Sequence, residues 1–278
     1  MSKDILSFYG LKFHPFRPDV PLEALWSTPA VDSFCKRVEF AVGDGGFVMV
    51  TGDPGSGKSV ALRLLAQRLR AQRDVVVGHV DHPQSRVSDF YRELGDMFGV
   101  ALAPSNRWLG FKGLRARWSD HISSTLTRPV LIIDEAQEML TTVFSELRLL
   151  SSKEFDSRSL LCVIFAGDSR LPERFRHQDL LPLGSRIRRR LNLDYATRDE
   201  LLACLDHLLD VGGNPALLTT ELKTVLAEHA AGNYRVMMNL GDELLAHGFE
   251  RSLPQLDEKL YFDVFAPPPK PKTPVKKR

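Results

Sequence analysis

An α/β fold is what this sequence predicts: a parallel sheet with helices on both faces, followed by a small helical domain. Three observations point there. Short apolar runs alternate with amphipathic stretches of helical period as far as Asp194; a glycine-rich loop joins the first run to a long helix; and beyond Asp194 the strand patterns stop.

Taken in order, residues 1–30 are an aromatic, proline-containing lead-in (Phe8-Tyr9-Gly10-Leu11, Pro15-Phe16, Trp26) that reads as an extended linker. Residues 31–195 form the α/β domain, opening with a helix from Asp32 to Val42. Phe47–Val50 is a short buried strand, and Ser59–Arg70 an amphipathic helix with Ala61, Leu62, Leu65 and Leu69 on one face. A strand at Val75–Val80 and a helix at Val87–Phe98 follow. Next come a helix over Leu114–Leu126, a strand at Val130–Ile133, a helix over Thr142–Leu150 and a strand at Leu160–Ala166. Residues 196–262 read as three helices. Thr197 and Glu200 make a capping box that opens Arg198–Val211, which Gly212-Gly213 ends. The second helix starts at Thr219 or Thr220 and runs to Gly232, and the third spans Tyr234 to Gly248. Residues 263–278, rich in proline and lysine from Ala266 on, are expected to be a disordered basic tail.

Composition excludes several classes. At 278 residues, 43% hydrophobic and 26% charged, the chain suffices for one sizeable core and a small accessory domain. Its longest apolar run, Leu160–Ala166, falls far short of the roughly 20 residues a membrane helix needs. Met1-Ser2-Lys3-Asp4 lacks the basic-then-apolar build of a secretory signal. Cys35, Cys162 and Cys204 are too few and too scattered for a disulfide frame or a zinc site. The expectation is a cytoplasmic protein with no membrane partner. The net charge of +2 includes five cations in the last thirteen residues, without which the remainder carries −3. Any nucleic-acid contact must therefore use local patches.

Gly52-Asp53-Pro54-Gly55-Ser56-Gly57-Lys58-Ser59 fits the phosphate-loop pattern G-x-x-x-x-G-K-[ST], a match that chance supplies in a chain this long on the order of one per cent of the time. Glycines let the backbone turn its N–H groups toward phosphate oxygens. Lys58 supplies charge to the β- and γ-phosphates, Ser59 a Mg²⁺ position, and the helix start at Ser59-Val60 a favourable dipole. Nucleotide contacts are thus expected from Gly52 through Val60. About 75 residues on, the strand Val130–Ile133 ends in Asp134-Glu135. Strand alternation would aim the two carboxylates differently. Asp134 would orient Mg²⁺ beside Ser59, and Glu135 would polarise the water attacking the γ-phosphate of ATP.

These residues resemble the AAA+ class of P-loop ATPases and, more narrowly, its ExeA/TniB-like branch, over roughly Leu6 to Phe249. Besides the motifs above, the marks are Asp134-Glu135-Ala136-Gln137, Glu146-Leu147-Arg148-Leu149-Leu150-Ser151, Phe165-Ala166-Gly167-Asp168, Ser185-Arg186-Ile187 and Gly232-Asn233-Tyr234-Arg235. The resemblance implies a P-loop AAA+ parallel sheet with flanking helices and a C-terminal helical lid. It implies Asp168 as a "sensor 1" group, where Gln or Asn is more usual and Ser169 could share the role. It implies Arg186 as an arginine finger serving the adjacent subunit, worth roughly 10³-fold in rate, with Arg188, Arg189 and Arg190 crowding the same segment. It implies Arg235 as "sensor 2", and a homo-oligomer, ring or helical filament.

Members of this branch serve two tasks. Some, such as TniB, TnsC, IstB and MuB, assemble with ATP on duplex DNA and recruit or activate a DDE-type transposase, sometimes with a further transposition protein. ExeA-like members assist secretion or pilus assembly and carry a membrane helix and a further domain, neither of which is expected in this sequence. The DNA task is the leading expectation; an ATP-controlled assembly switch and a helicase-like motor are others. Arg107, Lys112, Arg115 and Arg117, interleaved with Trp108, are candidate DNA contacts. The same residues also read as the exposed face of an ordinary helix with Trp108 and Trp118 packed inward. The basic tail suits DNA, an acidic partner or simple solubility.

Overall fold

The computed structural model describes residues 2–100, 107–154 and 157–265. The expected tail from Ala266 on lies outside them. The chain divides into two compact units: Leu25–Tyr195, and the residues up to Ala24 taken with those from Ala196 on.

The strands are β1 (Gly46–Gly52), β2 (Val75–Val80), β3 (Arg128–Ile133), β4 (Ser152–Lys153), β5 (Arg158–Ser159), β6 (Cys162–Gly167) and β7 (Ile187–Leu193). The helices are α1 (Ser2–Tyr9), α2 (Pro29–Ala41), α3 (Lys58–Arg70), α4 (Val87–Phe98), α5 (Arg107–Asp120), α6 (Thr141–Ser151), α7 (Arg170–Arg174) and α8 (Leu181–Gly184), then α9 (Arg198–Gly212), α10 (Thr220–Ala230), α11 (Tyr234–Glu250) and α12 (Glu258–Phe265).

The larger unit is a five-stranded parallel sheet of order β2-β3-β6-β1-β7, with β4 and β5 a separate short hairpin. Strand alternation sends Phe47, Met49, Leu131, Ile133, Val163 and Phe165 to one face, where they pack with Phe90, Leu94, Leu114, Trp118, Phe144 and Leu147 of α4, α5 and α6. α2 and α3 pack together, α3 also against β1, β2 and β6. Burial on both faces explains why β1, β3 and β6 are almost wholly apolar.

The fifth strand, β7, escapes a hydrophobicity reading. Its sequence Ile-Arg-Arg-Arg-Leu-Asn-Leu buries only Ile187 and Leu191, because it is an edge strand paired on one side with β1. The lead-in also departs from expectation. Ser2–Tyr9 is helical, and the segment is folded onto α9 and α11 instead of running extended. Lys12 N–H donates to Gly212 O (2.9 Å), the Asn214 amide donates to Tyr9 O (2.9 Å), and His14 Nε2 meets the Asp242 carboxylate at 3.1 Å. Phe16 lies against Gly241, where an added Cβ would come within 2.6 Å of the ring. In the helical unit Thr197 and Glu200 form the expected capping box. α12 adds a fourth helix there and carries regular structure through Phe265, so residues 263–265 are helical and not tail.

Candidate functional site

The strand register sets the site. Thr51 of β1 pairs with Gly167 of β6, and Ile133 of β3 with Phe165, so β1, β6 and β3 all end at one edge of the sheet. The tips of β1 and β3 flank that of β6, two inter-strand spacings or about 10 Å apart. The phosphate loop leaves the first tip, the acid pair the second, and Asp168 the one between.

Gly52 is the last residue of β1, and Lys58 the first of α3. The loop between needs its glycines. Gly55 and Gly57 have φ of 86° and 98°, in the left-handed region that side chains disfavour. At Gly52 a Cβ would sit 2.4 Å from Ser56 Oγ and 2.5 Å from Leu193 O, so the turn closes only without one. Lys58 is buried, and its ammonium donates to the loop's own Gly52 and Asp53 carbonyls at 2.7 and 3.2 Å. Ser56 Oγ is buried with no hydrogen-bond partner in the protein. A cradle that tolerates no side chain, a cation held by backbone oxygens and an unsatisfied hydroxyl fit a polyphosphate arriving at this loop. Ser59 and Val60, in the first turn of α3, are exposed and half-buried.

β3 stops at Ile133, so strand alternation does not set the two acids apart as the sequence suggested. A turn does so instead. Asp134 is half-buried and accepts from Glu135 N–H (2.9 Å), while Glu135 is exposed, in the left-handed region at φ 48°. Asp134 and Ser59 are the residues that would hold Mg²⁺. Among the described residues no group of three or more His, Cys, Asp or Glu side chains forms a metal cluster, so a divalent ion here would draw further ligands from phosphates and water.

The Asp168 carboxylate accepts from Arg170 Nε at 3.1 and 2.9 Å and from its backbone N–H at 2.9 Å. Arg170 chiefly holds that carboxyl below its ordinary pKa, and Lys58 adds a smaller pull in the same direction. Three side chains that were given no role by sequence converge here. Gln137 bridges Glu135 and Asp168 N–H. Arg170 also pairs with Glu138 at 2.7 Å. Arg174 donates to Gln137 O and, at 2.7 Å, to Met139 O. Gln137 stands inside the quoted motif, but α7 is too short for its arginines to give any periodic signal.

The remaining candidates have surroundings of their own. Arg186 precedes β7 and donates to Pro182 O; Arg190 donates to Gly184 O at 3.3 Å. Arg235 is exposed in the first turn of α11, whose N-cap Asn233 accepts from Val236 N–H at 3.2 Å. Among the DNA candidates, Arg107 pairs with the buried Glu146, which also accepts from Tyr91 at 2.7 Å. Arg115 caps the end of α6 through the Leu149, Leu150 and Ser152 carbonyls. Trp118 packs inward as expected, but Trp108 is 62% exposed, stacked on Phe111 with Lys112 over its ring, and Arg117 is exposed.

A glycine cradle on β1, an acid pair on β3 and the order β2-β3-β6-β1-β7 define a P-loop AAA+ fold. Residues 42–175 match the family model described as an AAA domain. General secretion pathway protein A of Aeromonas hydrophila is 28% identical over 250 residues, covering 88% of this chain; the chain spans 45% of that relative's length. Two solved structures share the fold. The Aeropyrum pernix ORC2 protein, in ADPNP-ADP complexes, superposes with a TM-score of 0.69 at 15% identity over 90% of this chain and 70% of its own. The Aeropyrum pernix ORC1 protein in complex with DNA gives 0.63 at 17% identity over 90% and 67%.

Proposed function

We propose that this chain is an ATPase, hydrolysing ATP to ADP and phosphate at the edge where β1, β6 and β3 end. The observation that carries this is the meeting of the Gly52–Ser59 cradle with Asp134 and Glu135 across a single intervening strand. Backbone amides and Lys58 would hold the phosphates. Ser59 and Asp134 would hold Mg²⁺, which when bound neutralises charge on the β- and γ-phosphate oxygens. Glu135, exposed on its turn, would take the proton of the attacking water. Arg186 from a neighbouring copy would stabilise the developing charge, and Arg235 would report nucleotide state to the helical unit. Glu135→Gln is expected to bind ATP as the parental chain does and to lose turnover by about 10²-fold or more, read by phosphate release. Hydrolysis at the parental rate in that variant would remove Glu135 from the role.

For what the hydrolysis drives, the similarity to general secretion pathway protein A over 88% of this chain supports a secretion-type ATPase module. A second reading is assembly on duplex DNA in the cytoplasm, with a transposase as the recruited partner. It is favoured by the exposed Trp108, stacked on the half-buried Phe111 with Lys112 over its ring, and by a fold shared with a solved structure that holds DNA. Duplex DNA that raises turnover in a salt-sensitive manner supports the second reading; turnover indifferent to DNA at low salt leaves the first.

A further inference from the structure

One side chain ties the turn after β3 to the turn after β6. Gln137 is only 6% exposed. Its amide nitrogen donates to the Glu135 carboxylate, and its amide oxygen accepts from Asp168 N–H at 3.2 Å. The fit is close: a Cβ on Gly167 would meet that oxygen at 2.3 Å. The backbone of Gln137 is itself fixed, because Arg174 grips the Gln137 and Met139 carbonyls while lying 5.2 Å over the Phe144 ring. Glu135 needs such a hold. A glutamate at φ 48° sits in a region that persists only where surrounding contacts over-determine it.

A carboxamide presents a donor and an acceptor from one planar group. A glutamate in its place would set like charge against Glu135, and a methionine of similar reach would hold neither end. Resting on the hydrolase reading, we infer that Gln137 is a positioning residue: it fastens the Glu135 carboxylate to the tip of β6, so that the place of the base follows Asp168.

The test compares Gln137→Met and Gln137→Glu with the parental chain, in fluorescent ATP-analogue binding and in steady-state phosphate release. Both variants are expected to lose about ten- to a hundredfold in kcat, the loss that misplacing a reacting group by an ångström brings, while analogue affinity and KM stay within about twofold. In a Glu135→Gln background, Gln137→Met should add little further loss, because it acts through the group already removed. Parental kcat in either variant overturns the inference. So does a parallel loss of analogue affinity, which marks a purely structural role, or full multiplication of the two losses in the double variant. A parental chain that binds the analogue and never turns over sinks the hydrolase reading first and this one with it.

Discussion

At the tip of β6, Asp168 gives its carboxylate to Arg170, and that contact fixes how the residue titrates. A carboxyl whose pKa falls on folding stabilises the protein fully above its unfolded value of 3.8, and that help fades as pH drops through the lower folded value. Arg170→Met should therefore bring the Asp168 titration back up toward 3.8, followed by carboxyl ¹³C shifts. An unmoved titration would assign the depression to the backbone N–H of residue 170 and to Lys58 instead. Residue-level legibility split along the same line. Gly52–Ser59 is readable because the cradle's demands are local, glycine where no Cβ fits and lysine one turn from the phosphates. Gln137 was unreadable because its partner N–H lies 31 positions away, brought near only by the pairing of β3 with β6.

Helices and strands buried on a continuous face announce themselves; those that are half-wet or short do not. β1, β3 and β6 show as apolar runs, and α3 by its spacing, whereas β7 carries three arginines in seven positions because one of its edges faces no strand. α1 was missed for a different reason. Its burying surface is supplied by α11, more than 200 residues later, which no local pattern encodes. Gly241→Ala should expose the same dependence in the rest of the lead-in, since the new methyl would press into the Phe16 ring; a loss of about 1–3 kcal/mol in chemical denaturation of the helical unit is expected. An unchanged midpoint would mean Phe16 yields freely. On α5, Arg115 serves the end of α6. Arg115→Ala is expected to cost about 1–2 kcal/mol of stability in thermal melts through carbonyls left without a charged donor. If it instead leaves the melt intact and weakens DNA retention, Arg115 belongs to the surface and not the cap.

For the whole molecule, the claim with most reach is that one copy completes another's site. Arg186→Ala and Glu135→Gln damage different contributions, so each alone should be nearly inactive while an equimolar mixture regains phosphate release. No recovery on mixing would place Arg186 in its own chain's chemistry. The fold class was legible in full at this scale, because alternating strands and helices leave few topologies open; the division of the chain was not, since a boundary at residue 30 gave the first residues no partner. They belong with the segment beyond Ala196, which makes Leu25–Tyr195 an insert within a helical body rather than its predecessor. The unit that carries the phosphate loop is thus strung between two peptide tethers, one entering near Leu25 and one leaving near Tyr195. A single cut in either tether would therefore leave the two units covalently joined through the other.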